Sequence, residues 1–160
     1  MFETVIVPLD GSELAEAALE HAREVAGKFD STIILLRAID PVSKLIATQT
    51  PGLFESPASA EANVELLEEV VDAERDEATK YLVAVQERVG GKCEYVVVEG
   101  SASDAITDVA QEKSADLIVM SSHGRGGLGR VVFGSVADHI LHHSHIPVLL
   151  IRIEDEDEKK

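Results

Sequence analysis

Cysteine is almost missing from this chain: Cys93 stands alone, so neither a disulfide framework nor a cysteine-ligated metal site can be built within one copy. It reads as a small residue at the start of a strand. Long apolar runs are missing as well. The longest, Ile146 to Ile151 around Pro147, falls far short of the roughly 20 residues that span a bilayer, and no membrane segment is expected. Met1, Phe2 and Glu3 pass directly into a strand pattern without the basic start, apolar stretch and small-residue cleavage site of a signal peptide, so a cytoplasmic location is expected. Basic residues are scarce, 14 against 30 acidic, for a net charge of −16. That balance opposes binding to a nucleic-acid backbone or an anionic membrane surface.

What is present is enough for one core: 160 residues, 45% of them hydrophobic, make a single domain the working count. The domain is placed at 1–153 and an acidic tail at 154–160. The acid gathers on 61–77 and Glu154 to Glu158, where it reads as a solvated helix face and a solvated end. A salty cytoplasm would screen the self-repulsion, although a soluble acidic protein explains the excess almost as well.

Five short Val- and Ile-rich runs recur, Thr4 to Leu9, Thr32 to Ile39, Glu94 to Val98, Asp116 to Met120 and Pro147 to Ile153. Each is apolar on both faces, so both faces are expected to be covered. Four segments with helical spacing lie between them. Ser12 caps one through about Lys28, with Leu14, Ala17, Ala18 and Val25 inward. A second, from about Ala60 to Val89, puts Val64, Leu67, Val71, Ala78, Tyr81, Leu82, Val85 and Val89 on one stripe and ends at Gly90 and Gly91. The third has a cap at Ser103 and buries Ile106, Val109 and Ala110, and the fourth follows Gly134 and Ser135. Strands joined by helices give a parallel sheet with right-handed crossovers. The fold class is therefore α/β: a three-layer doubly wound, Rossmann-like domain with a five-stranded parallel sheet. Two strand orders compete. In 2-1-3-4-5 the first loop, Asp10 to Ser12, meets the third, Glu99 to Ser101; in 3-2-1-4-5 it meets the fourth, which holds the glycines. Ligands bind where strand order reverses, so the glycines favour 3-2-1-4-5. The stretch 40–59 is left as a mobile loop or a lid.

The fourth loop carries the chemistry. Gly124, Gly126, Gly127 and Gly129 fall within six residues and let the backbone turn its N–H groups toward an anion. Gly134, Ser135 and Val136 then open a helix whose first N–H groups are unpaired and whose dipole end is positive. Arg125 and Arg130 are the neighbouring cations, and Mg²⁺ would help a polyanion approach an acidic chain. Asp10, at the end of the first strand, could accept ribose hydroxyls or join a metal shell, or simply form an Asx-turn. His123 could touch phosphate, with a turn-stabilising hydrogen bond as the plainer role. The P-loop lysine is missing and no nucleophile stands beside a base, so no catalytic residue is assigned and slow ATP hydrolysis is the most that is expected. His139, His142, His143 and His145 crowd the fourth helix. They read as a helix end and partner surface whose charge varies with pH, not as a metal site.

These residues resemble the universal stress proteins, in particular their nucleotide-binding branch. The resemblance is carried by 5–12 (Val-Ile-Val-Pro-Leu-Asp-Gly-Ser), by 115–130 with its Ser-Ser-His-Gly-Arg-Gly-Gly-Leu-Gly-Arg, by Gly-Ser-Val-Ala at 134–137 and by Ile-Pro-Val-Leu-Leu-Ile at 146–151, covering nearly the whole chain. It implies order 3-2-1-4-5, binding of ATP (or AMP or ADP) with Mg²⁺, and adenine near Pro8, Asp10 and the Ala38 backbone. The remaining contacts it implies lie between Met120 and Val136: Ser121, His123, Gly124, Arg125, Gly126, Gly127, Gly134 and Ser135. The family pattern is Gly, two residues, Gly, nine residues, Gly, then Ser or Thr. Gly124, Gly134 and Ser135 match it, and Ser121 replaces its first glycine, so restoring glycine is expected to tighten binding.

In order 3-2-1-4-5 the last strand is an edge with an apolar run, compatible with Pro147 at its start. Pairing with a second copy would cover it, so a homodimer through strand 147–153 is expected. A nucleotide-binding protein of stress response or regulation is the leading reading, against a dimeric scaffold without ligand and, third, a slow ATP hydrolase. A flavodoxin-like FMN protein would be yellow. A response regulator would need an acidic cluster that the first strand lacks.

Overall fold

Val5 and Val7 turn to one side of the first strand and Ile6 to the other, yet all three are fully buried. That requires helices on both faces of the sheet. A computed structural model, which describes residues 1–41, 57–123 and 134–153, shows that arrangement. The elements are β1 (Thr4–Pro8), α1 (Glu13–Glu16), α2 (Ala18–Phe29), β2 (Thr32–Ile39), α3 (Pro57–Val89), β3 (Cys93–Glu99), α4 (Ala102–Glu112), β4 (Leu117–His123), α5 (Ser135–His143) and β5 (Val148–Ile153). The five strands are parallel and ordered β3-β2-β1-β4-β5, the order favoured by the glycines.

Strand alternation divides the core in two. Val5, Val7, Ile33, Leu35, Leu117 and Val119 pack under α2 and α3, against Ala18, Ala22, Leu82 and Val85. Ile6, Ile34, Leu36, Ile118 and Met120 pack under α4 and α5, against Ile106, Val109, Ala110 and Ile140. On α3, Leu67, Val71, Ala78, Leu82, Val85 and Val89 are buried as their spacing predicts, while the Val64 side chain lies outside the described residues. α3 stops where Gly90 takes φ +67°, a left-handed conformation that a glycine adopts without a Cβ penalty.

Most element ends shift by one to three residues from the sequence reading, and three differences bear on the site. The segment read as one helix from Ser12 to Lys28 is broken at Ala17 into α1 and α2. The third helix is capped by Ser101, not Ser103: the Asp104 N–H donates to Ser101 Oγ at 3.2 Å and that hydroxyl donates to Asp104 Oδ2 at 2.7 Å. A cap and a residue three positions on, bonding reciprocally, outweigh a lone serine. Finally, β4 does not end at Met120. It runs to His123 because β5 continues beside it, pairing Ser121 with Ile151, Ser122 with Arg152 and His123 with Ile153.

Candidate functional site

Where the strand order reverses between β1 and β4, the carboxyl ends of β1, β2 and β4 leave a cavity of about 440 Å³. That is within the range of small-molecule sites and at the position where doubly wound folds bind ligands. Its floor is apolar, made by Leu36 and Ala38 of β2, Met120 of β4 and Ile106 of α4. One wall is the β1–α1 turn with Asp10, Leu14 and Ala15. The opposite wall is the start of α5, Gly134 to Ala137.

The turn after β1 is a tight polar knot. Asp10 Oδ1 accepts the Ser12 N–H at 2.9 Å and the Ser12 hydroxyl at 2.6 Å, the Asx-turn that short acidic side chains favour. The Ser12 oxygen in turn accepts the Ala15 N–H at 3.1 Å and caps α1. Gly11 between them has φ +89°, and a Cβ there would come 3.4 Å from the Arg37 guanidinium. Partial burial pushes the Asp10 carboxyl up, but the Ser12 hydroxyl and N–H, helped by the Asp10 N–H and Arg37, outweigh it and hold the group below the usual carboxylate range. Asp10 is thus an ionised acceptor at neutral pH.

The opposite wall has the reverse character. α1 is capped by Ser12 and α4 by Ser101, whereas α5 begins at Gly134 with no side-chain cap. Gly134 to Ala137 line the cavity, so the N-terminal end of α5, positive by its helix dipole, borders it. A Cβ added to Gly134 would meet nothing within 4 Å. Among the described residues, an apolar floor with an ionised acceptor on one side and a helix start without a side-chain cap on the other suits a molecule with a flat apolar part, hydroxyls and an anionic group.

Behind α1, Arg37 lies over the Tyr81 ring, 5.2 Å from its centroid. The Tyr81 hydroxyl donates to Glu16 Oε1 at 2.9 Å, and Arg88 pairs with Glu16 Oε2 at 3.0 Å. Burial first, and then the Glu16 bond, push the Tyr81 hydroxyl well above its ordinary value. Glu16 is held below its own, chiefly by Arg88.

Of the residues read from the sequence, Pro8, Asp10, Ala38, Met120, Ser121, Gly134, Ser135 and Val136 come together around the cavity. His123 ends β4, and its side chain lies outside the described residues together with Gly124, Arg125, Gly126, Gly127, Gly129 and Arg130. Of the stretch 40–59 read as a lid or mobile loop, 57–59 instead belong to α3, which begins at Pro57, while 42–56 and the tail 154–160 lie outside the described residues. Ala15, Leu36, Ala102 and Ser122 line the cavity without having been read as site residues, and Leu14 and Ile106, read only as core, line it too. A small or apolar residue next to a helix cap or strand end carries no signal of its own, and only the topology brings these together. Away from the cavity, His139 and His143 stack at 4.2 Å between ring centroids. Among the described residues no group of three acidic, His or Cys side chains is placed to hold a metal ion, and no helix is long and apolar enough to cross a membrane.

Residues 1–152 match the model of the universal stress protein family. Universal stress protein MJ0531 of Methanocaldococcus jannaschii is 32% identical over 152 residues, 95% of this chain and 83% of the relative. The solved structure of MJ0577, a universal stress protein of the same organism, superposes with a TM-score of 0.71 at 26% identity, covering 98% of this chain and 99% of that one. Two more distant structures share the fold. One is a universal stress protein in complex with cAMP, at 21% identity and a TM-score of 0.63 over 94% of this chain and 97% of that one. The other is an Arabidopsis thaliana family protein with AMP bound, at 18% and 0.56 over 99% and 96%.

Proposed function

The chain belongs to the universal stress protein family, and from that premise we propose that it is a cytoplasmic protein of stress response or regulation that binds ATP, ADP or AMP. The binding place is the cavity at the β1/β4 switch point. The observation that carries this is the uncapped start of α5 facing an ionised Asp10 across an apolar floor. In this reading the N–H groups of Ser135, Val136 and Ala137 take phosphate oxygens, with the Ser135 hydroxyl beside them. Asp10 accepts ribose hydroxyls, and the adenine lies against Pro8, Ala38 and Met120. His123, Gly124, Arg125, Gly126 and Gly127 complete the phosphate cradle. Mg²⁺ would travel on the phosphates, with waters completing its octahedron. Two proteins of the same fold hold cAMP and AMP; at their identities that likeness supports the fold, and the ligand is argued from this chain's own cavity.

The partner we propose is a second copy. Among the described residues β5 pairs with β4 on one side only, and Leu149 on it is 37% exposed. A free edge with an apolar side chain is covered by a two-fold copy of itself.

Gly134→Ser tests the nucleotide reading cleanly. Serine is a better N-cap than glycine by a few tenths of a kcal/mol, and a Cβ at 134 meets nothing within 4 Å, so thermal stability should hold or rise. The new hydroxyl takes up an α5 N–H and occupies the phosphate's place, so ATP affinity should fall at least about tenfold, the loss of one charge-assisted bond. Unchanged affinity in the stable variant would contradict the assignment.

A further inference from the structure

Ser121 lines the cavity from β4, opposite Ile151 of β5. Alternation along the strand turns it to the side of Leu117 and Val119, the face covered by α1, α2 and α3, while Met120 turns toward α4 and α5. Its hydroxyl donates to the Leu14 carbonyl at 2.5 Å, across a separation of 107 residues.

That carbonyl is one the helix itself leaves half used. α1 is four residues long and its ladder breaks at Ala17, whose N–H is shared between the carbonyls of Glu13 and Leu14 at 3.2 Å each. A single turn of helix is not stable by itself, because nucleation is unfavourable and few bonds repay it. α1 runs through Ala17, itself in the right-handed helical region (φ −61°, ψ −21°), into α2, and side-chain ties fix it further. Ser12 caps its start, Tyr81 and Arg88 hold Glu16 from the α3 side, and Ser121 holds Leu14 from the sheet. Leu14 and Ala15 are cavity wall.

We propose that Ser121 is a positioning residue: it fixes the α1 wall of the cavity, and the affinity of the site for its ligand depends on that tie. The second clause rests on the nucleotide-binding reading above; the first does not. The serine thus works in the opposite sense to an obstruction. A glycine at 121 frees space but releases the Leu14 carbonyl and lets α1 drift.

The test compares Ser121→Ala, Ser121→Gly and Ser121→Thr with the wild-type chain by hydrogen exchange and by calorimetric titration of ATP. In the free protein, exchange at the Glu16 and Ala17 amides should quicken by about fivefold in the Ala and Gly variants, the worth of one ordinary hydrogen bond. It should return toward wild type in the Thr variant, which restores the hydroxyl, while the Val109 amide of α4 stays unchanged. ATP affinity should fall by a similar factor in the Ala and Gly variants and recover in the Thr variant. Unchanged exchange in Ser121→Ala, or a Ser121→Gly chain that binds ATP more tightly than wild type, would overturn the proposal. If the wild-type chain binds neither ATP, ADP nor AMP, the nucleotide reading fails, and the exchange comparison still decides the tie: faster exchange upholds it and unchanged exchange overturns it.

Discussion

Ser12 serves two structures at once, since its hydroxyl donates to Asp10 and accepts from the Ala15 N–H. Ser12→Ala should therefore cost about 1 kcal/mol in denaturant unfolding, the usual worth of a lost N-cap, and should also raise the Asp10 carboxyl toward its ordinary value. Gly11→Ala is expected to cost about 1 kcal/mol or more, because φ +89° is strained for any residue with a Cβ. Asp116 does for β1 what Asp10 does for α1. Its carboxylate accepts the Thr4 and Glu3 N–H groups, and these bonds hold it below the ordinary range. A carboxyl held low in the folded chain stabilises fully above its unfolded value, about pH 4, and that contribution is lost as pH falls through the folded value. Asp10, Glu16 and Asp116 all shift this way. An acid titration of stability should thus show loss below about pH 4 that is smaller in Asp116→Asn than in the wild-type chain. Equal loss in both would remove Asp116 from the account.

At the scale of elements, the strands and the long helix were legible because their signals are local and repeated. β1, β2 and β4 alternate apolar residues on both faces, and α3 keeps one stripe from Leu67 to Val89. The break at Ala17 was not legible. Glu-Leu-Ala-Glu-Ala-Ala-Leu-Glu, 13–20, is sound helix sequence, and no residue in it marks a break; the first turn also makes bonds to distant Ser121, Tyr81 and Arg88 that no local pattern shows. The end of β4 was hidden for a related reason: Ser121 and Ser122 are not among the β-branched and aromatic residues that mark strands, and pairing with β5 extends the strand through them. Around the cavity, the glycine at the start of α5 and the acid after β1 were readable as donors and acceptor. The wall supplied by α1 was not, since it depends on Ser121 reaching Leu14. Tyr81→Phe probes the same element from behind. Removing the hydroxyl leaves Glu16 its Arg88 partner, so the expected cost is about 1 kcal/mol in chemical denaturation, with faster exchange at α1 and none at α4.

For the whole molecule, charge and edges matter most. A net charge of −16 makes the compact state repel itself, and salt screens that repulsion. The melting temperature should climb with added KCl, and a flat response would mean that the acid is too dispersed to matter. Leu149→Lys places a charge on β5, the edge strand among the described residues, a device that blocks strand pairing. Light scattering should find the wild-type chain as a dimer and this variant as a folded monomer; a wild-type monomer would rule out the β5 pairing. All of this surrounds a single claim, that the cavity between Asp10 and the start of α5 holds an adenine nucleotide. The direct measurement is calorimetric titration of ATP, with and without Mg²⁺, into freshly purified protein, a portion of which is denatured to release any nucleotide carried through purification. The account predicts saturable micromolar binding of one nucleotide per chain, or adenine nucleotide already in place; no heat and no released nucleotide would contradict it.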